Sequence, residues 1–484
     1  MKKYLLILLM SALSVGFTQA QTKSPKRGLA FNGLGVGDIQ SLSPGLSWVY
    51  NWEQSTGNID AMIQNGIDYV PMAWKDVDSV SLRKYVESYP SCKYILAYNE
   101  PNLTDQANMT PVQAAAIWPK LSKIAKDLDL KIVSPAVNYG TLPGYSDPTK
   151  WLDDFFALID PDDISAIAVH CYLTSATQVA SFINLFKKYN KPIWLTEFCY
   201  DMNLAPSAAT QKKFLVETLD YLESEPYVAR YAWFKERGSS SANISVLQRT
   251  TEGLLTELGE IFTYMSSHDE NYYFTTDIQI PATQYVSDNI VNMEQTTDTS
   301  GRINLCGMGT RSWTEYNVDI PETSEYNVYF RNSNEYGPPD VSTLQISVNG
   351  IEAGNISFDN PGADIWNTQV CKATFQQGKQ KIRLGFTRGG LRINWLEITK
   401  NELSSVTKVE ADDGVKIYPN PVKDFLYLQI SGNTKVTLYD VYGKCVYAGD
   451  NPESIDMTAY PAGMYILDMR NEAGGRKAEK IMKE

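Results

Sequence analysis

Eight short apolar runs alternate with helix-length segments between residues 26 and 268 of the 484-residue chain, and few folds accept that rhythm. The runs cover residues 28–31, 47–51, 69–74, 94–98, 131–134, 166–169, 192–196 and 231–234. Helical patterns lie between most of them, at 59–65, 79–88, 111–128, 151–158, 177–188, 208–223 and 256–266. Thr110-Pro111 is a strong helix start, with a hydroxyl cap and a proline in the first turn. Eight strand–helix units over about 240 residues predict an α/β fold, a (β/α)8 TIM barrel over residues 26–268. The first crossover is the weak one, because residues 32–44 carry little helical signal.

Two of the apolar runs stop at a glutamate. One is Tyr94-Ile95-Leu96-Ala97-Tyr98-Asn99-Glu100-Pro101, and the other is Ile193-Trp194-Leu195-Thr196-Glu197-Phe198. A carboxylate at the tip of a buried strand is costly unless something there uses it. One use is structural, pairing with an arginine at the strand end. The other is catalytic: two strand tips of one parallel barrel meet at its C-terminal mouth, and two glutamates across a groove are the machinery of glycoside hydrolysis. The sequence sets no distance between them, so the stereochemical course stays open at this point.

Other residues fall at the same mouth. His170, one of two histidines, ends the sixth run with Tyr172 beyond it. It reads either as a satisfied core residue or as a group that orients the nucleophile or binds sugar. Trp48, Tyr50 and Trp52 alternate and share one face. Trp52, Trp74 and Trp233, at three strand tips, are expected to stack on sugar rings, the alternative for each being barrel packing. Gly33-Leu34-Gly35-Val36-Gly37 is a poor dinucleotide fingerprint and is read as a flexible groove loop. No His, Cys and Asp cluster has metal-ligand spacing, so neither metal nor cofactor is expected.

The net charge of −13 argues against nucleic acid and anionic membrane as partners and suits a chain that handles neutral polymers. Residues 1–20 read as a signal peptide: Met1-Lys2-Lys3, an apolar stretch, then Thr18-Gln19-Ala20. Its apolar stretch is too short to span a bilayer, so no membrane span is expected in the mature chain. The six cysteines are scattered; Cys171 with Cys199, or Cys306 with Cys371, can bridge, but buried free thiols are the default.

Beyond the barrel the texture changes. Residues 269–400 show short alternating stretches and an Asn349-Gly350 hairpin turn, which predict a β-sandwich. Residues 401–413 read as a linker, and 414–484 as a second all-β sandwich domain.

At this point three resemblances can be stated. Trp48-Val49-Tyr50-Asn51-Trp52, Tyr69-Val70-Pro71-Met72-Ala73-Trp74, Ala97-Tyr98-Asn99-Glu100-Pro101, Ala168-Val169-His170-Cys171-Tyr172, Trp194-Leu195-Thr196-Glu197-Phe198 and Tyr231-Ala232-Trp233-Phe234 together resemble glycoside hydrolase family 128. The likeness implies a retaining β-1,3-glucanase, with Glu100 as acid/base, Glu197 as nucleophile and Asn99 on the sugar 2-hydroxyl; endo action is expected of it, and Asn51 is expected among the substrate contacts. Rivals are the same pair acting on another β-glucan or a mannan, and a glycan-binding barrel with little turnover. Residues 277–399 resemble carbohydrate-binding module family 6, through Arg311-Ser312-Trp313-Thr314-Glu315-Tyr316 and Arg392-Ile393-Asn394-Trp395-Leu396-Glu397-Ile398. That family usually closes with Asn-Ile-Asp-Trp, so Arg392 and Asn394 are departures, and Trp366 is the candidate platform. The last domain resembles the C-terminal sorting domain of type IX secretion substrates, through Tyr418-Pro419-Asn420-Pro421 and Pro461-Ala462-Gly463-Met464-Tyr465. It implies secretion machinery as a partner and a secreted or cell-surface product.

Overall fold

The computed structural model describes residues 21–238, 242–338, 340–400, 416–430, 433–440, 445–471 and 476–484. The expected leader and the expected linker lie outside the described residues.

Eight parallel strands form the first sheet: β1 (Arg27–Ala30), β2 (Trp48–Tyr50), β3 (Asp68–Tyr69), β4 (Tyr94–Leu96), β5 (Lys131–Val133), β6 (Ile164–Leu173), β7 (Ile193–Tyr200) and β8 (Val228–Phe234). Their order is β3-β2-β1-β8-β7-β6-β5-β4, so the sheet curls on itself. Its two edges meet at Met72, just beyond β3, which bridges Leu96 of β4. Two backbone hydrogen bonds of 2.9 Å, Ala73 N–H to Leu96 O and Leu96 N–H to Pro71 O, close this seam. The crossovers are α1 (Val36–Leu42), α2 (Ile59–Gln64), α3 (Ser79–Ser88), α4 (Pro111–Asp127), α5 (Pro148–Phe156), α6 (Ala176–Asn184) and α7 (Ala208–Ser224), with α8 (Glu257–Tyr264) after β8.

Each strand is buried on both faces, which is why it reads as an unbroken apolar run. Inside the barrel, Trp48, Tyr50 and Trp194 are accommodated by Ala30, Ala166, Ala168 and Ala232 on other strands. Bulky and small side chains alternate around the axis and fill it. Outside, Leu29, Val49, Ile95, Ile132, Ile167, Leu195 and Trp233 pack in the larger cluster that the helices complete.

The glycine-rich segment is not a flexible loop. It opens helix α1, and the missing side chains let it lie on Glu252: a Cβ at Gly35 would stand 2.3 Å from that carboxyl group. Gly37 N–H donates to Glu252 at 2.7 Å. Asp38 accepts from Gly35 N–H and Gly253 N–H and takes two hydrogen bonds from Arg237, at 3.0 and 2.8 Å. Helical periodicity was faint there because tertiary bonds, rather than an apolar stripe, hold the turn.

The sandwich consists of two six-stranded sheets among the described residues. One carries Ser324–Asn334 between Asn367–Phe375 and Leu391–Lys400; the other carries Gly378–Arg388 between Trp313–Ile320 and Ser342–Val348. Barrel and sandwich form one compact unit ending at Lys400. Gln21 ties them, its side-chain amide donating to the carbonyls of Gln284 and Tyr285 at 2.9 and 3.1 Å. The residues after Lys400 form a separate unit. Its sheets are three-stranded (Lys416–Tyr418, Phe425–Gln429, Ser454–Asp456) and four-stranded (Thr434–Asp440, Cys445–Asp450, Gly463–Asn471, Arg476–Lys483). All six cysteines are free thiols.

Candidate active site

Strand parity governs which side chains reach the mouth. Along β6, Ala168, His170 and Tyr172 face inward, while Val169 and Cys171 pack outward. Along β7 the inward residue is Trp194 and Leu195 points out, so strict alternation would send Glu197 outward as well. A register shift prevents this: Val169 pairs with Leu195, but His170 pairs with Glu197. The extra residue, Thr196, is a bulge that re-aims Glu197 toward the axis. Phe198 then packs outward.

Glu100 reaches the same place by a different device. Its backbone lies in the left-handed region, φ 42°, as does that of Trp52, φ 62°. Such backbone costs about 1–3 kcal/mol at a residue with a side chain and persists where surrounding bonds hold it. Here Asn99 N–H is held by Trp74 O at 2.8 Å, and Leu103 N–H caps Glu100 O at 3.0 Å.

The two carboxylates and His170 Nδ1 offer atoms that all lie within 4.8 Å of one another. His170 Nδ1 is 3.0 Å from Glu100 Oε1 and 3.5 Å from Glu197 Oε2. Its Nε2 is buried without a partner. Burial alone would lower the basicity of this imidazole; the charge of Glu197, then the hydrogen bond and charge of Glu100, outweigh it and raise the pKa above the usual histidine value.

Glu197 accepts from Tyr50 Oη at 3.0 Å and Trp52 Nε1 at 2.8 Å on one oxygen, and from Tyr172 Oη on the other. Burial and then the Glu197 charge push both phenols well above their ordinary range, so they remain donors. Glu100 has a thinner set: His170, and Asn138 Nδ2 at 3.4 Å. Above the pair opens a cleft of about 540 Å³, lined by Trp52, Trp74, Asn99, Tyr172, Phe234 and Lys235 among others. Asn99 Nδ2 donates to Gln106 at 3.2 Å, while its Oδ1 has no partner.

Thus Glu100, Glu197, Asn99, Trp52, Trp74 and Tyr172 come together in one cleft, with His170 beneath them. Two expected contacts are placed elsewhere, and a third stays in its expected domain. Trp233 is fully buried; its Nε1 donates to Ile244 O at 2.8 Å and its ring meets Phe198 edge-on, so it is a wall of the outer core and not a sugar platform. Parity explains the error, since Ala232 takes the inward position and Phe234 the rim. Asn51 spends its side chain on β3 and its own loop, accepting from Tyr69 Oη at 2.5 Å and Glu53 N–H at 3.2 Å. Trp366 belongs to the sandwich, where its half-exposed indole donates to Thr297 at 2.9 Å. Arg392 and Asn394 are also committed internally, Arg392 to Glu294 and Asp364, Asn394 to Asp298 and Ser300. Tyr50, Asn138, Gln106 and Phe234 were not anticipated as site residues. The period-two spacing from Trp48 to Trp52 could have found Tyr50.

Two strand-tip glutamates in such a barrel define a class, and residues 28–262 match the family model described as glycosyl hydrolase catalytic core. The barrel is a glycoside hydrolase domain. Within that class, the barrel is similar to solved enzymes of glycoside hydrolase family 128. It is 38% identical to the crystal structure of a subgroup II endo-β-1,3-glucanase from Pseudomonas viridiflava, covering 50% of this chain and 98% of that one (TM-score 0.46). It is also 38% identical to a subgroup II endo-β-1,3-glucanase from Sorangium cellulosum, over 49% and 97% of the two chains (TM-score 0.45). A curated relative, Alkali-sensitive linkage protein 1 of Schizosaccharomyces pombe, is 30% identical over 254 residues, 49% of this chain; the chain spans less than half, 44%, of that protein. Residues 281–400 match carbohydrate binding module family 6, and 416–484 match the secretion system C-terminal sorting domain. Among the described residues, no helix is long and apolar enough to cross a membrane.

Proposed function

We propose that this chain is a secreted, retaining, endo-acting β-1,3-glucan hydrolase in which Glu197 is the nucleophile and Glu100 the acid/base. The observation that carries the reading is the carboxylate pair, with oxygen atoms within 4.8 Å at the tips of β4 and β7. Retaining enzymes hold their carboxyl groups about 5–5.5 Å apart, whereas inverting ones need about 6.5–9.5 Å to admit a water.

Glu100 donates its proton to the glycosidic oxygen as Glu197 attacks the anomeric carbon, and the leaving sugar departs. Three donors, from Tyr50, Trp52 and Tyr172, fix the Glu197 carboxylate for that attack. The glycosyl ester on Glu197 is then opened by a water that Glu100 deprotonates, which restores both groups. His170 touches both carboxylates and keeps them apart in orientation. Asn99, with a free carbonyl oxygen, is the contact for the sugar 2-hydroxyl; Trp52 and Trp74 offer faces for glucose rings.

Linkage and mode draw support from the two solved endo-β-1,3-glucanases at 38% identity. Export draws support from the match of residues 416–484 to a sorting domain. The test is to incubate the mature chain with laminarin and follow the products. The reading expects shorter oligosaccharides, released from within the chain as the β anomer. Glucose alone from the outset would refute the endo mode, an α anomer the retaining mechanism, and cleavage of mannan in preference to laminarin the substrate.

A further inference from the structure

The junction of barrel and sandwich holds a second group of ionisable side chains that the glycosidase chemistry does not use. Asp220 comes from α7, His268 from the segment after α8, and Asp288 from the strand Ser287–Asn289 of the sandwich. One ligand atom from each lies within 4.8 Å of the others, beside a cavity of about 600 Å³ between the domains.

We propose that Asp220, His268 and Asp288 form a divalent transition-metal site that clasps the sandwich to the barrel, taking Zn²⁺ or an ion of similar borderline softness.

Geometry is the first support. His268 Nε2 lies 3.2 Å from Asp220 Oδ1. Two ligand atoms bonded at about 2.0 Å in a tetrahedral zinc site stand ~3.3 Å apart. One edge of the coordination polyhedron is therefore already set, and a carboxylate oxygen of Asp288 lies within 4.8 Å of both atoms. Charge is the second. The other cavity acids have cationic partners of their own, Glu223 with Arg27, Glu217 with Lys213 and Glu270 with Lys381. No lysine or arginine among the described residues lines the cavity. Asp220 and Asp288 share one imidazole, so a divalent ion with neutral His268 would balance the two carboxylates. The third support is the state of the imidazole. Its side chain is only 7% exposed, so the ring is held in place beside both carboxylates. Tyr285 Oη, donating to Asp220 Oδ1 at 2.8 Å, supplies the outer contact that orients a ligating carboxylate. One imidazole with two carboxylates, and space for water, is a nitrogen–oxygen set that suits Zn²⁺ better than Ca²⁺.

The inference stands apart from the glucanase reading and is tested without activity. The full mature chain is stripped with chelator and titrated with ZnCl₂ and with CaCl₂ by calorimetry and thermal denaturation at pH 7.5. One equivalent of Zn²⁺ should bind with release of protons and raise the barrel–sandwich transition by roughly 5 °C at a hundredfold excess over Kd. Calcium should do less. Asp288→Asn and His268→Gln should each lower Zn²⁺ affinity at least tenfold, and Asp288→Asn, which relieves the charge conflict, keeps the fold available for measurement. No stoichiometric Zn²⁺ binding, or equal binding by the two variants, overturns the proposal.

Discussion

The chain has two histidines, and each joins two carboxylates in a group spanning no more than 4.8 Å. At the barrel mouth, Glu100, His170 and Glu197 are buried, yet neutral donors crowd in from β2, the loop after it and β6 to share the load on Glu197. At the junction, Asp220, His268 and Asp288 have Tyr285 and little else. The first group opens on a cleft lined by Trp52, Trp74, Tyr172 and Phe234; the second opens on an acidic cavity. The same three functional groups thus acquire opposite chemistry from their neighbours. Where uncharged donors hold a carboxylate in place, it can react. Where two carboxylates contend for one imidazole, they call for a cation.

The largest test of this contrast is at the mouth. Glu197→Ala should reduce laminarin turnover by about 10⁴-fold or more, and added azide should restore cleavage as the α-glycosyl azide. Glu100→Ala should cost roughly 10²–10⁴ on polymer while sparing aryl glycosides with good leaving groups. His170→Asn, which removes a contact to each carboxylate, should lower kcat by roughly 10- to 100-fold with little change in KM. Equivalent changes at the junction should do none of this. His268→Ala should leave turnover of soluble laminarin within about twofold while lowering Tm by roughly 3–8 °C, since it takes the imidazole from two half-buried carboxylates.

The smallest effect is a pH slope. Asp288 has a folded pKa of about 7 against an ordinary 3.8, so the folded state holds its proton more tightly than the unfolded one. Its contribution is fully present below about 4 and is lost as the pH rises through about 7. The groups facing it, Asp220 from α7 and His268, act in opposite senses, and His268 is itself raised despite burial because Asp220 and Glu223 outweigh it. Metal-free protein should therefore lose thermal stability between pH 5 and 8. Asp288→Asn should flatten that slope; an unchanged slope would mean that Asp288 is not under strain.

Much of the barrel was legible because its strands, covered on both faces, cannot alternate and so stand out as apolar runs. The glutamates were legible for the same reason, as the carboxylates that end two such runs. What escaped was whatever depends on parity or on distant partners. Trp233 and Phe234 are equally aromatic, and only the inward placement of Ala232 tells which one faces the cleft. Helix α1 was hidden because Glu252 and Arg237, more than 190 residues away, hold it. The junction group was invisible for a stronger reason: its three members come from two domains and acquire meaning only when those pack.

The bulge at Thr196 has a last consequence. Glu197 faces the cleft because β7 carries one residue more than its neighbour at that level. In effect the strand contains a frameshift, and the carboxylate lies downstream of it. Deleting Thr196 would remove the bulge yet leave Glu197 next after the outward Leu195 and still facing inward, whereas keeping Thr196 and pairing it with His170 would turn that carboxylate into the helices and bring Phe198 to the cleft.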